Sequence, residues 1–223
     1  MAADERTGGM LCWQGCDVAL PARFIRIALN EPLVSLGFTR VGRRHVWLRD
    51  VGRLQHAVSL EYHWGSWGVR WDVVHPGVGE LLHGKLVEPA RVAYSGFIGG
   101  WASTHHPPPG VVVFFERDDI ETKPGLAEGV AKAAVQVGDW TSEFDSVRGT
   151  LDYLLQAPGD KLPDKRVISP AHWPLRIYTA AALATVEREP GATELAERAI
   201  EALARFRGSL TDERIERLTT ALN

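Results

Sequence analysis

Six side chains in one stretch have the types that acid–base chemistry uses. His45, Ser59, Glu61, His63, Arg70 and Asp72 fall at alternating positions that place them on one face of a sheet. Imidazoles, two carboxylates and a guanidinium within reach of one another would give a small hydrolytic enzyme its general acid, general base and cation. Such work needs pKa values tuned by burial or neighbours. The same residue types also make the cross-strand pairs of a solvated sheet face, and that is the reading preferred here.

A second set lies on the opposite face. The register derived below puts His56 opposite His75, where two imidazoles could share a metal ion with His83 or Glu80 as third ligand. No HExxH or comparable ligand spacing accompanies them, so two half-buried histidines bonded to backbone are expected instead. His105 and His106 stand in a proline-rich loop that could cover a cleft. Trp101 and Trp173 fall in irregular segments, where an aromatic side chain often marks a contact surface. Cys12 and Cys16 are four apart, but a metal site needs further ligands. No GxSxG, Walker A or strand-to-helix GxGxxG motif is present, and no cofactor is expected.

These groups need a scaffold, and residues 53–75 supply it. Leu54, His56, Val58, Leu60, Tyr62 and Trp64 alternate with polar residues, and Trp67, Val69, Trp71 and Val73 continue the pattern. A two-residue Gly65-Ser66 turn predicts Trp64 opposite Trp67, Tyr62 opposite Val69, Leu60 opposite Trp71 and Val58 opposite Val73. Glu61 then meets Arg70, and Ser59 meets Asp72. A three-residue turn at Asp50-Val51-Gly52 adds a preceding strand, with Leu48 opposite Leu54 and Val46 opposite His56. His45 and Trp47 are thereby expected on the outer face.

The spacing predicts a first helix over 20–36, with Phe24, Ile27, Ala28 and Val34 as its apolar stripe. Pro32 should kink or restart it, and Gly37 should cap it. A helix ending in LGFTRVGRRHVWLRD before aromatic-rich strands resembles the bacterial family catalogued as domain of unknown function 4304. Gly37, Phe38, Arg40, Gly42, Trp47 and Arg49 carry the likeness, and DWTSEFDSVRGTLDYLL resembles that family's closing helix. The resemblance covers roughly residues 20–156. It implies an α+β domain and no assigned activity.

Downstream, 76–110 shows no clear pattern beyond a short strand within 92–98, and 111–116 reads as a strand buried on both faces. Leu126, Val130, Ala133, Ala134 and Val137 recur at helical spacing. Ser142 with Asp145 resembles a capping box before Phe144, Val147, Leu151, Leu154 and Leu155. Three further helices are expected after Ser169, the second with Leu195, Ala199, Ile200, Leu203 and Phe206 as its stripe.

The fold expected is α+β: an N-terminal helix on an antiparallel meander of three to four strands, then helices and a C-terminal helical extension. Boundaries fall at 1–17 (irregular or disordered), 18–157 (the α+β domain), 158–168 (linker) and 169–223 (helical subdomain). The C-terminal helices could pack on the outer sheet face, where Trp47 and Val74 would otherwise be exposed, though the sequence leaves that open.

The chain has 223 residues, 45% of them hydrophobic, which supports a sizeable core. A net charge of −3 argues against general nucleic-acid binding. No apolar run approaches the ~20 residues of a membrane span. The MAADERTGG start lacks a signal-peptide h-region, and two cysteines fit a reducing compartment, so a cytoplasmic protein is expected. The function expected is non-catalytic binding of a protein partner or small ligand, of an immunity-like or regulatory kind. A small hydrolase using the outer sheet face and a metal-binding protein using His56 and His75 are the alternatives.

Overall fold

The computed structural model describes residues 20–42, 45–63, 65–84, 97–102, 108–156, 173–206 and 208–222. Cys12, Cys16, Trp64, His105, His106 and the expected linker at 158–168 lie outside the described residues. The architecture is α+β, built on a six-stranded antiparallel sheet.

The first helix runs as α1 (Ala22–Ile25), a π turn (Arg26–Asn30) and α2 (Glu31–Ser35). Pro32 explains the wide turn. It has no N–H to donate, and its ring would press on the carbonyl of Ala28 in a regular helix. The extra residue in the turn rotates everything beyond it. Leu33 is therefore buried and Val34 is 60% exposed, against the expected stripe. The same turn aims Asn30 at the sheet, where its Oδ1 accepts a hydrogen bond from Trp47 Nε1 at 3.0 Å. Gly37, at φ +83°, closes the helix as expected, with the Phe38 amide bonded back to the Leu33 carbonyl.

The sheet runs β1 (Thr39–Arg40), β2 (Val46–Val51), β3 (Leu54–His63), β4 (Ser66–Val74) and β5 (Ile98–Trp101), in that order. A short β6 (Phe114–Phe115) pairs with the start of β4 on the edge that β5 also uses. The sheet thus has more strands than the meander expected.

Two registers depart from expectation, with different consequences. Between β3 and β4, His63 pairs with Ser66, Tyr62 with Trp67, Leu60 with Val69, Val58 with Trp71 and His56 with Val73. Ser66 therefore already belongs to β4, and the turn is not Gly65-Ser66; Gly65 precedes the strand at φ +90°. Each partner moves by two residues, so every side chain keeps its face. Between β2 and β3, Val51 pairs with Leu54 and Trp47 with Val58. That loop holds two residues, Gly52 (φ +70°) and Arg53, instead of three. One residue fewer turns the whole of β2 over. Trp47, expected on the outer face, is fully buried on the inner one. His45 goes with it, and Leu48 faces outward beside Ala57.

The inner face carries the core. Trp47, Val58, Leu60, Val69, Trp71 and Val73 meet Phe24, Leu29 and Leu33 from the first helix and Val130, Ala133, Ala134 and Val137 from α5 (Leu126–Thr141). Trp71 stacks on Phe144 at 5.7 Å between ring centres. Phe144 ends a 3-10 turn, Ser142–Phe144, and α6 (Val147–Leu155) follows. The N-cap of α6 is Ser146, whose Oγ accepts from the Gly149 amide, and not the Ser142–Asp145 pair the sequence offers.

Two elements arise where no pattern was visible. Helix α3 (Pro76–His83) starts with His75 as N-cap and Pro76 in its first turn, and ends at Gly84 with φ +69°. Strand β5 contains Gly99 and Gly100. A Cβ on Gly99 would collide with Asp72 Oδ1 and would lie 2.5 Å from the Trp71 carbonyl oxygen, so the close pairing with β4 demands glycine. The run 111–116 is not buried on both faces: Phe115 is buried, whereas Phe114 is 46% exposed.

A one-turn helix, α4 (Asp119–Thr122), precedes α5. The C-terminal helices are α7 (Trp173–Glu187), α8 (Ala192–Ala204) and α9 (Ser209–Leu222). They pack on α3 and α6 rather than over the outer sheet face. Ala180, Ala182, Leu183 and Ala184 of α7 join the main core, while Ile177, Tyr178 and Ala181 join Ala196, Ala199, Leu203 and Leu218. Phe206, expected in the stripe of α8, lies beyond its end and is exposed. Glu187 ties α7 to the end of the sheet, accepting from Arg53 Nη1 at 2.7 Å and from His75 Nε2 at 2.9 Å. Among the described residues no helix is long and apolar enough to cross a membrane.

Candidate functional site

Glu61, His63, Arg70 and Asp72 do share the outer face of β3 and β4, and Trp101 of β5 joins them. Three rows cross the sheet there. Ala57 pairs with Asp72 and Asp72 with Gly99; Ser59 pairs with Arg70 and Arg70 with Trp101; Glu61 pairs with Gly68 and Gly68 with Phe114. The Glu61–Arg70 and Ser59–Asp72 contacts expected straight across the strands are therefore diagonal.

Ser59, Glu61, Arg70 and Asp72 form one network. Arg70 donates from Nε to Asp72 Oδ2 at 2.9 Å and from Nη2 to Asp72 Oδ1 at 2.8 Å, a two-pronged ion pair. Glu61 Oε1 lies 3.9 Å from Arg70 Nε and accepts from Ser59 Oγ at 2.7 Å. The side chains of Arg70, Asp72 and Glu61 are 11%, 6% and 9% exposed, so this is no solvated face. Burial pushes the Asp72 carboxyl up to about 7, against the pull of Arg70 and with a smaller push from Glu61. Burial raises Glu61 as well, against the Ser59 hydrogen bond and Arg70.

Aromatic rings border the network toward the β3–β4 turn. Trp101 lies 5.8 Å from His63 and 5.0 Å from Phe114. Gly68 makes room for them, since a Cβ there would come within 2.7 Å of both the Phe114 and Trp101 rings. Across the sheet, Trp67 sits 5.5 Å from Tyr62 and 6.0 Å from His45. Burial and Arg40 keep the His45 imidazole below its ordinary pKa. The hairpin end is thus aromatic on both faces, with Tyr62 49% and Phe114 46% exposed. Phe114 and Gly68 were not singled out in the sequence; a glycine inside an aromatic strand was the available signal.

His56 and His75 are not brought together. His56 pairs with Val73, and His75 lies beyond the strand as the cap of α3. Arg49 Nη2 donates to His56 Nδ1 at 2.9 Å, so Nε2 carries the proton and donates to the Phe144 carbonyl at 3.1 Å. His75 accepts from the Val78 amide at Nδ1 and donates from Nε2 to Glu187. All four ring nitrogens are engaged. Among the described residues no three His, Cys, Asp or Glu side chains are grouped as metal ligands. Trp173 opens α7, with the Arg176 guanidinium 5.4 Å over its ring.

Comparison with protein-family models, with curated proteins and with solved structures finds no match in any of the three.

Proposed function

We propose that this is a non-catalytic binding domain, and that it grips a protein partner with the aromatic end of the β3–β4 hairpin. The observation that carries this is a contrast across a few residues. Glu61, Arg70 and Asp72 are buried and bonded to one another, while Phe114 on the same face and Tyr62 on the opposite one, at the turn end of the sheet, are about half exposed. Large aromatic side chains at the centre of a contact surface contribute a disproportionate share of binding energy. Arg40 lies 5.6 Å over the Trp47 ring and donates at 3.4 Å to Nδ1 of His45, which borders Trp67, so it brings positive charge toward this end of the sheet. The partner surface that fits is an apolar patch with an acidic rim.

The competing reading is a hydrolase, favoured by the Asp72 carboxyl near 7, within the range a general acid or base uses. Against it, both Asp72 oxygens are held by Arg70, and the carboxylate is buried with the Gly99 backbone packed close against it.

A photo-crosslinking residue placed at position 62 or 114, with one at Glu197 on α8 as control, tests the proposal in cells of the native host. One protein trapped from both hairpin positions and not from the control is expected. The purified partner should then bind Tyr62→Ala and Phe114→Ala at least tenfold more weakly. Trapping no different from the control, or hydrolytic turnover that Asp72→Asn abolishes, would overturn it.

A further inference from the structure

A second site lies away from the hairpin and goes beyond the reading above. A groove of about 780 Å³ runs between α3, the end of α7 and α9. Its walls are two helix faces: Gly77, Glu80, Leu81 and Gly84 recur at helical spacing on α3, and Glu213, Glu216, Arg217 and Thr220 on α9. The α3 glycines let the walls close. A Cβ on Gly77 would come within 2.8 Å of Val186, and one on Gly84 within 3.0 Å of Arg217. Arg217 fastens α9 across, donating from Nε to the Leu81 carbonyl at 2.8 Å and from Nη2 to the Leu82 carbonyl at 3.3 Å.

The charges in the groove are not balanced internally. Arg217 is spent on those carbonyls and on Glu213 at 3.5 Å. Among the described residues, Glu80, Glu216 and Arg188 have no side-chain partner. Arg188 is the telling one. It ends α7 in the left-handed region, φ +55°, where its own amide bonds to Thr185 and the next amide bonds to Ala184. That helix ending selects glycine, because a side chain is strained there. Arginine holds the position and lines the groove.

We propose that this groove binds a short zwitterionic peptide carrying an extra ammonium group. The Arg188 guanidinium takes the terminal carboxylate in a two-pronged pair, and Glu80 and Glu216 take the two ammonium groups. Among the described residues lining the groove, one unpaired cation and two unpaired carboxylates match one carboxylate and two ammoniums on the ligand. The volume is in the range of small-ligand sites and exceeds what a single amino acid fills.

Calorimetric titration of the full chain with the tripeptide Gly-Lys-Gly tests this, alongside its N-acetylated, C-amidated form. The free tripeptide should bind, and the blocked form should bind at least tenfold more weakly. Arg188→Gly should weaken binding at least tenfold while raising the thermal midpoint, because it removes the backbone strain together with the ligand contact. Glu80→Gln combined with Glu216→Gln should weaken binding similarly with an unchanged midpoint. Absence of binding to the native protein, equal affinity for the blocked peptide, or undiminished affinity in Arg188→Gly would each overturn the proposal. A lowered midpoint in Arg188→Gly would overturn it too, by showing that Arg188 serves the fold.

Discussion

Arg49 Nη2 donates to His56 Nδ1 at 2.9 Å, and this single bond fixes the protonation of a fully buried imidazole. The guanidinium offers only donors, so Nδ1 must stay an acceptor. It also holds β2, β3 and the turn after α5 together. Arg49 reaches the Leu36 carbonyl at 3.2 Å, Thr141 Oγ1 at 3.3 Å and Ser142 Oγ at 3.2 Å, and lies 4.8 Å over the Phe38 ring.

His56 should make the protein acid-sensitive. Burial lowers its pKa most, with Arg49 in the same direction and the Phe144 carbonyl and Asp145 opposing. The unfolded imidazole titrates near ~6.5. Below that pH the unfolded chain takes up a proton that the folded chain refuses. His56 therefore contributes stability that is full above ~6.5 and lost on acidification, at up to about 1.4 kcal/mol per pH unit. Urea midpoints measured from pH 5 to 7.5 should lose this slope in His56→Gln, whose amide can still accept from Arg49.

Asp72 should contribute the opposite slope. Its carboxyl is raised from 3.8 to about 7, so the folded chain holds a proton that the unfolded chain releases. The stability it contributes is full below about pH 4, falls as pH rises toward 7, and is level beyond. Glu61 shares that sign. In Asp72→Asn the His56 term should emerge, with stability climbing more steeply between pH 5 and 7 than in the native protein. Parallel curves for the two proteins would refute the assignment.

The turn forced by Pro32 makes a sharp prediction about neighbours. Leu33→Ala should cost about 3 kcal/mol, as a leucine removed from a packed core does. Val34→Glu, one residue on, should change stability by less than about 0.5 kcal/mol, because Val34 faces solvent. Chemical denaturation of the two variants decides it. A large loss in Val34→Glu would mean the helix face is the one the unbroken pattern implies.

Gly99→Ala should destabilise by roughly 2 kcal/mol through overpacking. The added methyl would strike Asp72 Oδ1 and the Trp71 carbonyl oxygen, both part of the adjoining strand or its ion pair. Denaturant midpoints measure the loss, and a rise in tryptophan emission wavelength would report the shift around Trp71.

The fold was legible where burial acts on one face with a fixed period. Leu60 and Trp71 share a side as expected, because moving the β3–β4 turn changed each partner by two positions. Trp47 was misplaced because alternation alone cannot count turn residues: a loop at Gly52-Arg53 and one at Asp50-Val51-Gly52 fit the same letters with opposite faces. α3 and β5 escaped notice because Gly77, Gly79, Gly99 and Gly100 suppress both periodicities, and those at 77 and 99 are needed where neighbours approach closely. The candidate site was half visible. Glu61, Arg70 and Asp72 were on the correct face, yet their burial depends on tertiary packing that no local pattern encodes.

The sheet's lateral margins are short. One side ends in the two residues of β1, and the other in the four of β5 and two of β6. Among the described residues, β1, β5 and β6 themselves offer an incoming strand from another molecule little backbone to zip onto. Fibrous stacking through these three strands should therefore be disfavoured under crowded conditions, leaving side-chain surfaces as the better route to assembly.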